Sequence, residues 1–248
     1  MGQFGFKEVI GVIVTYNPDS NLERNLRLLL SQVNSVVIID NNSDSILLTY
    51  IRKLVSNYVG DTRVTIIEND ENLGIAKALN QGCIFARKNK FEYSLLLDQD
   101  SLISEGMVES LFGLISCVSG RSIVSPNIIS QSTENSHDEI PSRYFLATDS
   151  FRFKRSAVES SHLDVLFNIT SGSLVDLRVW NEVGGFLEDL FIEGVDNEYG
   201  LRCNMLGYKV TVDKNSYLRQ VYGNQKVRYF LGFKFYPTYH SPLLRSIP

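Results

Sequence analysis

The sequence predicts an α/β fold whose central sheet is mostly parallel, Rossmann-like and flanked by helices. Four short apolar runs, at residues 9–14, 36–39, 64–67 and 94–97, are rich in β-branched residues or leucine and are typical of buried strands. Three segments between them, at 21–33, 45–57 and 75–88, carry apolar residues at helical intervals. Strands and helices that alternate in this way form βαβ units, so we expect the four strands to be parallel.

The elements are less regular after residue 104. An amphipathic stretch at 104–118 predicts a helix, and residues 122–129 predict a further strand. Residues 130–162 are polar, with a strand pattern only at 144–154, and indicate a long loop. Strand character returns at 165–175. Helices are predicted at 177–183 and 196–206, with a turn at Gly184-Gly185 between them.

Composition limits the class of protein. A length of 248 residues predicts one domain over residues 1–248, and a formal net charge of -4 disfavours binding to nucleic acid. Cys83, Cys117 and Cys203 are far apart, which predicts neither a disulfide framework nor a zinc site and favours a reducing cytoplasm. Every apolar run is too short to cross a bilayer, so we expect any membrane contact to be peripheral.

Polar residues follow each of the first four predicted strands. Ligands of open α/β sheets bind beyond the carboxyl ends of the strands, so we expect these residues to converge on one site. The four clusters are Thr15-Tyr16-Asn17, Asp40-Asn41-Asn42-Ser43, Glu68-Asn69-Asp70-Glu71-Asn72 and Asp98-Gln99-Asp100.

Asp98 and Asp100 form the most informative of these clusters. Two carboxylates separated by one residue at a strand end are able to face a common ligand, and their hard oxygen atoms suit Mg²⁺ or Mn²⁺. Alone, such a triplet is more often a solvated turn. Its position after a buried strand, opposite three other polar clusters, favours a metal site.

Other strand-end residues have two interpretations each. Asp40 is placed to accept hydrogen bonds from a bound base or ribose; the alternative is that this cluster caps the next helix, for which Asn42, Ser43 and Asp44 are candidates, and the two roles are compatible. Gly74 allows a ligand or another backbone to approach the start of the predicted helix. Lys77, in the first turn of that helix, either neutralises a phosphate or is solvated.

Acidic residues also cluster before and within the last predicted helix, at Glu193, Asp196 and Glu198. Compensation of the helix dipole explains acids in a first turn, whereas their position after an apolar run at 190–192 indicates a catalytic group. Ser171-Gly172-Ser173 fits either a strand bulge or a set of backbone donors for a ligand.

Taken in order, five motifs resemble those of inverting family-2 glycosyltransferases of the GT-A fold. They lie at residues 12–17, 40–43, 72–76, 98–100 and 191–198, and so span nearly the whole chain. Asp98-Gln99-Asp100, the 72–76 segment and Tyr239-His240-Ser241-Pro242 look most like bacterial rhamnosyltransferases, which use dTDP-L-rhamnose to build O-antigen or capsular polysaccharide.

The resemblance implies a nucleotide-sugar-binding half at 1–103, an acceptor and catalytic half at 104–225, and an aromatic and basic tail at 226–248. It implies dTDP-L-rhamnose as donor, a lipid-linked glycan as acceptor and a divalent cation, Mg²⁺ or Mn²⁺, as cofactor. The tail either packs on the core or contacts the cytoplasmic face of the membrane that carries the acceptor.

The resemblance also implies roles for individual residues. Asp196 would be the base that removes the proton of the acceptor hydroxyl, Glu198 would orient either this base or the acceptor, and Glu193 is the alternative base. Asp98 and Asp100 would hold the metal, and Arg202 would lie near the diphosphate or brace its helix. The nucleotide sugar would contact Thr15, Tyr16, Asn17, Asp40, Asn72, Gly74, Lys77, Asp98, Gln99 and Arg202.

One departure from the family pattern bears on the metal. Many relatives carry a histidine before the glycine of a His-x-x-Gly segment, where this chain has Gln220-Val221-Tyr222-Gly223, and glutamine is the poorer metal ligand. Two alternatives therefore stay open. One is a catalytically silent nucleotide-sugar-binding module, and the other is a nucleotidyltransferase, which is also able to use two aspartates at a strand end.

Overall fold

The computed structural model describes residues 6–58, 63–117, 120–131, 140–141, 144–147, 153–221, 228–230 and 233–235. The helices are α1 (Asn21–Leu30), α2 (Ser45–Ser56), α3 (Ile75–Lys88), α4 (Met107–Cys117), α5 (Leu177–Val183) and α6 (Val195–Met205). The first seven strands are β1 (Phe6–Thr15), β2 (Val33–Asp40), β3 (Val64–Glu68), β4 (Tyr93–Asp98), β5 (Leu102–Ile103), β6 (Arg121–Gln131) and β7 (Ile140–Pro141). The other strands are β8 (Tyr144–Ala147), β9 (Phe153–Ser156), β10 (His162–Val165), β11 (Leu174–Asp176), β12 (Lys209–Val221), β13 (Arg228–Phe230) and β14 (Phe233–Phe235).

The main sheet has the order β10-β12-β6-β11-β4-β1-β2-β3. The four strands predicted from the first hundred residues are parallel neighbours, since β1 pairs with β2 and β4, and β2 pairs with β3. On the other side of β4, the short strand β11 runs antiparallel to β4 and β6, while β6 and β12 are parallel to each other. The predicted mostly parallel α/β sheet is therefore confirmed.

Helices cover both faces of this sheet. On one face, α3, α5 and α6 contribute to an apolar cluster that includes Val12 and Leu96. On the other face, α1, α2 and α4 pack in a second cluster that includes Ile13 and Leu95. The central strands are buried on both faces, which explains why their sequences are continuous apolar runs without polar alternation.

Three segments differ from the predicted elements. Helix α1 ends at Leu30 and not at Val33, because Val33 already pairs with Phe6 as the first residue of β2. The strand pattern at 144–154 forms two strands, β8 and β9, which pair antiparallel to each other. The stretch 165–175 is mostly a loop between β10 and β11, because Gly172 has a φ of +78° that interrupts extended backbone.

Other expectations concern cysteines, membrane spans and the tail. Cys83, Cys117 and Cys203 are free. Within the described residues, none of the helices is long and apolar enough to cross a bilayer. Gln220 lies on β12, where its backbone pairs with Ser130. Most of the tail at 226–248 lies outside the described residues, as do Tyr222 and Gly223.

Candidate functional site

A cavity of about 820 Å³ opens at the carboxyl ends of β1, β2 and β4, which we call the central cavity. All four polar clusters contribute to it, together with the loop before β11 and the start of α6. Its walls are Val14, Tyr16, Asn41, Asn72, Gly74, Ile75, Asp98, Gln99, Asp100, Ile169, Thr170, Ser171, Ile192, Glu193, Gly194 and Asp196. Carboxylates predicted for metal binding and for catalysis therefore face one space.

The turn at residues 98–100, which we call the acidic turn, is held by hydrogen bonds to its backbone and to its middle side chain. The Nδ2 of Asn25 donates to the Gln99 carbonyl at 2.9 Å, and the Asp98 N–H donates to the Ser171 Oγ at 3.1 Å. The Gln99 Oε1 accepts from the Tyr16 N–H at 2.8 Å, and the Gln99 Nε2 donates to the Tyr16 carbonyl at 3.3 Å. Gln99 therefore joins the ends of β1 and β4, while both aspartates line the cavity.

Negative charge is concentrated in the central cavity. Burial is the largest cause that raises the pKa of Asp98 to about 7; the nearby charges of Asp100 and Asp196 also raise it, and a hydrogen bond with Ser171 lowers it. A bound cation would remove the repulsion and favour the ionised carboxylate. The electrostatics of Asp98 therefore fit a cation site.

The donor set of this site is small. Among the described residues, there is no cluster of three or more histidines, cysteines or acids arranged to hold a metal ion. Asp98 and Asp100 supply two hard carboxylates, and Mg²⁺ is usually bound by one or two carboxylates together with substrate phosphates and water. The residues present thus fit a cation that is bound jointly by the protein and a diphosphate.

Asp196 lies in the first turn of α6 and on the wall of the cavity. Its Oδ1 accepts a hydrogen bond from the Thr170 Oγ1 at 2.8 Å. Burial raises the pKa of Asp196, whereas hydrogen bonds from the hydroxyl and backbone of Thr170 lower it. The predicted strand-like entry at 190–192 is instead a pair of bends after a coil residue, and Gly194, with a φ of +86°, starts the helix.

The other two acids of this cluster have different surroundings. Glu193 is exposed and lines the cavity. Glu198 lies one helical turn from Arg202 and forms a two-bond ion pair with it, at 2.5 and 2.7 Å. Its predicted role beside Asp196 is therefore not supported by its contacts, because its carboxylate is engaged by Arg202.

Arg202 braces the start of α6 against the turn that follows α5. Its guanidinium donates to the Val183 carbonyl at 2.6 Å and to the Gly185 carbonyl at 2.7 Å, besides its ion pair with Glu198. These contacts use both terminal nitrogens and Nε. Of the two predicted roles for Arg202, they match the bracing one, and Arg202 is not among the residues that line the cavity.

Asp40 is fully buried beneath the cavity and does not line it. Its Oδ1 accepts from the Thr15 Oγ1 at 2.9 Å and from the Ser43 Oγ at 2.6 Å, and its Oδ2 accepts from the Ser43 N–H. The Asn17 N–H donates to the same serine hydroxyl, and the Asn17 Oδ1 accepts from the Asp44 N–H. Thr15, Asn17 and Asp40, predicted to contact the nucleotide, thus support the loop after β2 from within.

Asn41 lines the cavity, although it was predicted only as a member of the polar cluster after β2 and not as a site residue. Its Nδ2 donates to the Asn72 Oδ1 at 2.8 Å, and its Oδ1 accepts from the Leu73 N–H at 3.0 Å. Asn72 and Gly74 line the cavity as predicted. Lys77 lies one turn further along α3 and is not a lining residue.

Three further residues were missed, each for a physical reason. Asn25 is a buried polar residue on the apolar face of α1, a signal that was present in the sequence. Ile169 and Ile192 supply an apolar part of the wall, which no polar motif indicates.

Gly74→Ala is expected to distort the cavity. Gly74 has a φ of +80°, and an added Cβ would lie 2.6 Å from the Phe191 carbonyl oxygen, which accepts the Ile75 N–H at 2.7 Å. We expect a loss of about 1–3 kcal/mol in the free energy of unfolding. Gly106→Ala is the matched control, because Gly106 also has a positive φ but its Cβ would meet nothing within 4 Å. Equal losses in urea denaturation of the two variants would contradict the predicted clash.

Asp98→Asn is expected to stabilise the protein when metal and nucleotide are absent. Because the pKa of Asp98 is raised in the folded state, proton binding by Asp98 stabilises the fold. This contribution is fully present below pH about 4 and is lost as pH rises through about 7. At pH 8 the variant should therefore be more stable by about 1 kcal/mol, and this difference should shrink toward pH 4. Groups with lowered pKa, such as Glu68 and Asp164, affect both proteins alike. The measurement is urea denaturation of both proteins in a chelator at pH 8 and pH 5. A difference in the free energy of unfolding that is the same at both pH values would contradict the prediction.

Comparison with known protein sequences gives two matches. The sequence profile of the family Glycosyl transferase family 2 matches residues 12–184 of the chain. The chain is also 28% identical to the dTDP-rhamnosyl transferase RfbF of Shigella flexneri over 243 residues, which are 96% of this chain and 76% of that protein.

Solved structures that resemble this one include two with bound Mn²⁺. GalNAc-T7, crystallised with UDP, GalNAc and Mn²⁺, has a TM-score of 0.72 at 17% identity over 87% of this chain. The mannosyltransferase PcManGT from Pyrobaculum calidifontis, in complex with GDP-Man and Mn²⁺, has a TM-score of 0.61 at 15% identity over 89% of this chain. The chain spans 44% and 59% of the lengths of these two proteins. These likenesses confirm the predicted GT-A type of fold.

Proposed function

Because the chain belongs to glycosyl transferase family 2, we propose that it transfers a sugar from a nucleoside diphosphate to an acceptor hydroxyl, with inversion at the anomeric carbon. The observation that carries this proposal is the central cavity, where Asp98 and Asp100 face the same space as Asp196. Asp98 and Asp100 would hold the cation that binds the diphosphate of the donor. Asp196 would take the proton of the attacking hydroxyl.

The donor we propose is dTDP-L-rhamnose. Support comes from the relative in Shigella flexneri, a dTDP-rhamnosyl transferase that matches 96% of this chain. The acceptor we propose is a hydroxyl of a lipid-linked glycan, as in the synthesis of O-antigen or capsular polysaccharide, at the cytoplasmic face of the membrane.

The residues of the acidic turn would hold a divalent cation, Mg²⁺ or Mn²⁺. The structures of GalNAc-T7 and PcManGT each contain Mn²⁺ with a nucleotide or nucleotide sugar. When bound, the cation would supply positive charge that stabilises the departing diphosphate. The residues of the chain would orient the donor so that its anomeric carbon faces Asp196.

Asp196 would act as general base. As the acceptor oxygen forms a bond to the anomeric carbon, the bond from that carbon to the diphosphate oxygen breaks with its electron pair. The acceptor proton passes to the Asp196 carboxylate. A base with a pKa raised by burial, as for Asp196, holds this proton more strongly than an exposed aspartate does.

The proposal is tested with purified protein, Mn²⁺, a panel of nucleotide sugars and a panel of lipid-linked glycans. We expect dTDP to be released from dTDP-L-rhamnose together with a glycosylated acceptor. Release of pyrophosphate would identify a nucleotidyltransferase instead. Donor binding by calorimetry, without transfer or hydrolysis across the whole panel, would identify a catalytically silent binding module.

A further inference from the structure

The turn at residues 170–173, which we call the hydroxyl turn, buries three hydroxyl groups between β10 and β11. Thr170, Ser171 and Ser173 are 6%, 3% and 0% exposed. A buried hydroxyl destabilises the fold unless it forms hydrogen bonds. The partners of these hydroxyls therefore indicate what the turn is built to hold.

The backbone of the hydroxyl turn is fastened to β4. The Gly172 N–H donates to the Leu96 carbonyl at 2.7 Å, and the Leu96 N–H donates to the Ser173 carbonyl at 2.9 Å. The turn is closed by the Ser173 N–H, which donates to the Thr170 carbonyl at 2.9 Å. A φ of +78° at Gly172 permits this geometry. The turn thus has a fixed position relative to the strand that ends in the acidic turn.

Two adjacent side chains of this turn contact two different parts of the cavity wall, the acidic turn and α6. The Thr170 Oγ1 donates to the Asp196 Oδ1 at 2.8 Å, on α6. The Ser171 Oγ accepts from the Asp98 N–H at 3.1 Å and lies 2.5 Å from the Ser101 Oγ, so it contacts the first residue of the acidic turn and the residue that follows the turn. One dipeptide therefore connects the base to the metal-binding carboxylates.

We propose that Thr170 and Ser171 are positioning residues that hold the Asp196 carboxylate in register with Asp98 and Asp100. This inference rests on the proposed function, in which Asp196 is the base. A base must lie within hydrogen-bond reach of the acceptor hydroxyl while the donor is fixed elsewhere, and a misplacement of about 1 Å costs roughly 100-fold in rate. A shared rigid turn holds both groups at a constant separation.

Thr170→Val tests the half of the proposal that concerns Asp196. We expect kcat to fall by roughly 10–100-fold, with a much smaller change in the KM for dTDP-L-rhamnose. The hydrogen bond from Thr170 lowers the pKa of Asp196 in the wild type, so its removal should raise that pKa. The acidic limb of the pH profile of kcat should therefore move to higher pH. The other acids that line the cavity, Asp98, Asp100 and Glu193, are unchanged in this variant. Thr170→Ser should restore most of the lost activity.

Thr211→Val is the matched control. Thr211 is also a buried threonine. Its Oγ1 donates to the Asp164 Oδ1 at 2.8 Å and accepts from the Arg121 Nε at 3.3 Å, away from the cavity. Its loss should lower Tm at least as much as Thr170→Val does, without moving the pH profile. Equal changes in kcat and its pH profile in the two variants would show that Thr170 only stabilises the fold, and would overturn the proposal.

Ser171→Ala tests the other half. We expect weaker binding of Mn²⁺ with dTDP, measured by calorimetry, because the contacts of Ser171 with Asp98 and with Ser101, just after the acidic turn, are lost. Unchanged affinity would refute the role of Ser171. Asp196→Asn separates this inference from the proposed function: if that variant is fully active, the base assignment fails. If it is inactive while Thr170→Val matches the wild type in rate and pH profile, only the positioning role fails.

Discussion

Asp196→Asn is expected to lower kcat by a factor of about 10²–10⁴, the usual contribution of a positioned general base. The amide retains the size of the side chain and is still able to accept the Thr170 hydrogen bond through its oxygen, so the start of α6 should keep its structure. It is unable to accept the proton of the acceptor hydroxyl. The measurement is initial rates of dTDP release from dTDP-L-rhamnose with Mn²⁺ and the acceptor found in the panel.

Donor binding should survive this substitution, because Asp196 contributes to proton transfer and the acidic turn contributes to binding. We expect an affinity for the donor with Mn²⁺ close to that of the wild type. Asp189→Asn is the control, since Asp189 is an exposed aspartate near the same helix that does not line the cavity. If Asp196→Asn kept wild-type turnover, Glu193, the other acid on the wall that lies outside the acidic turn, would become the candidate base.

Asp100→Asn is expected to abolish metal-dependent binding of the nucleotide. Asp98 and Asp100 are the two carboxylates that the acidic turn presents to the cavity, so loss of one removes half of the protein's charged ligands. The loss should exceed the roughly 10–100-fold that removal of an outer-shell partner costs a metal site. It is measured by calorimetric titration of dTDP into the protein with Mn²⁺.

A matched control is available just after strand β3, at the edge of the same sheet. Asp70 is exposed and does not line the cavity, so Asp70→Asn changes the net charge by the same amount without touching the site. Titration with dTDP in a chelator gives the metal-free reference. Equal affinities in Mn²⁺ and in chelator would show that the nucleotide binds without the cation.

The fold was predictable because its signals are local. Helix α3 begins and ends where its apolar periodicity does, at Ile75 and Lys88. The four parallel strands follow apolar runs that any chain must bury. The segment 165–175 was predicted wrongly as a strand, since its apolar residues share the strand pattern while the partners that hold its turn are distant in the sequence.

The site was predictable at the level of clusters and not of contacts. The position of polar residues after parallel strands indicated the edge of the sheet, and Asp98, Asp100 and Asp196 do line one cavity. Which carboxylates face inward depends on partners far along the chain. Asp40 is buried and accepts a hydrogen bond from Thr15, which is 25 residues away in the sequence. The pairing of Glu198 with Arg202 had a local signal, because acid and base four residues apart on a helix form ion pairs.

The position of Mn²⁺ in crystals soaked with dTDP tests the central claim most directly. The claim is that the acidic turn and a diphosphate bind the cation together, in the cavity that Asp196 also lines. We expect one anomalous peak within bonding distance, about 2.1 Å, of carboxylate oxygens of Asp98 or Asp100 and of the diphosphate. Nucleotide bound in the cavity with Mn²⁺ elsewhere, or with no peak at all, would contradict it.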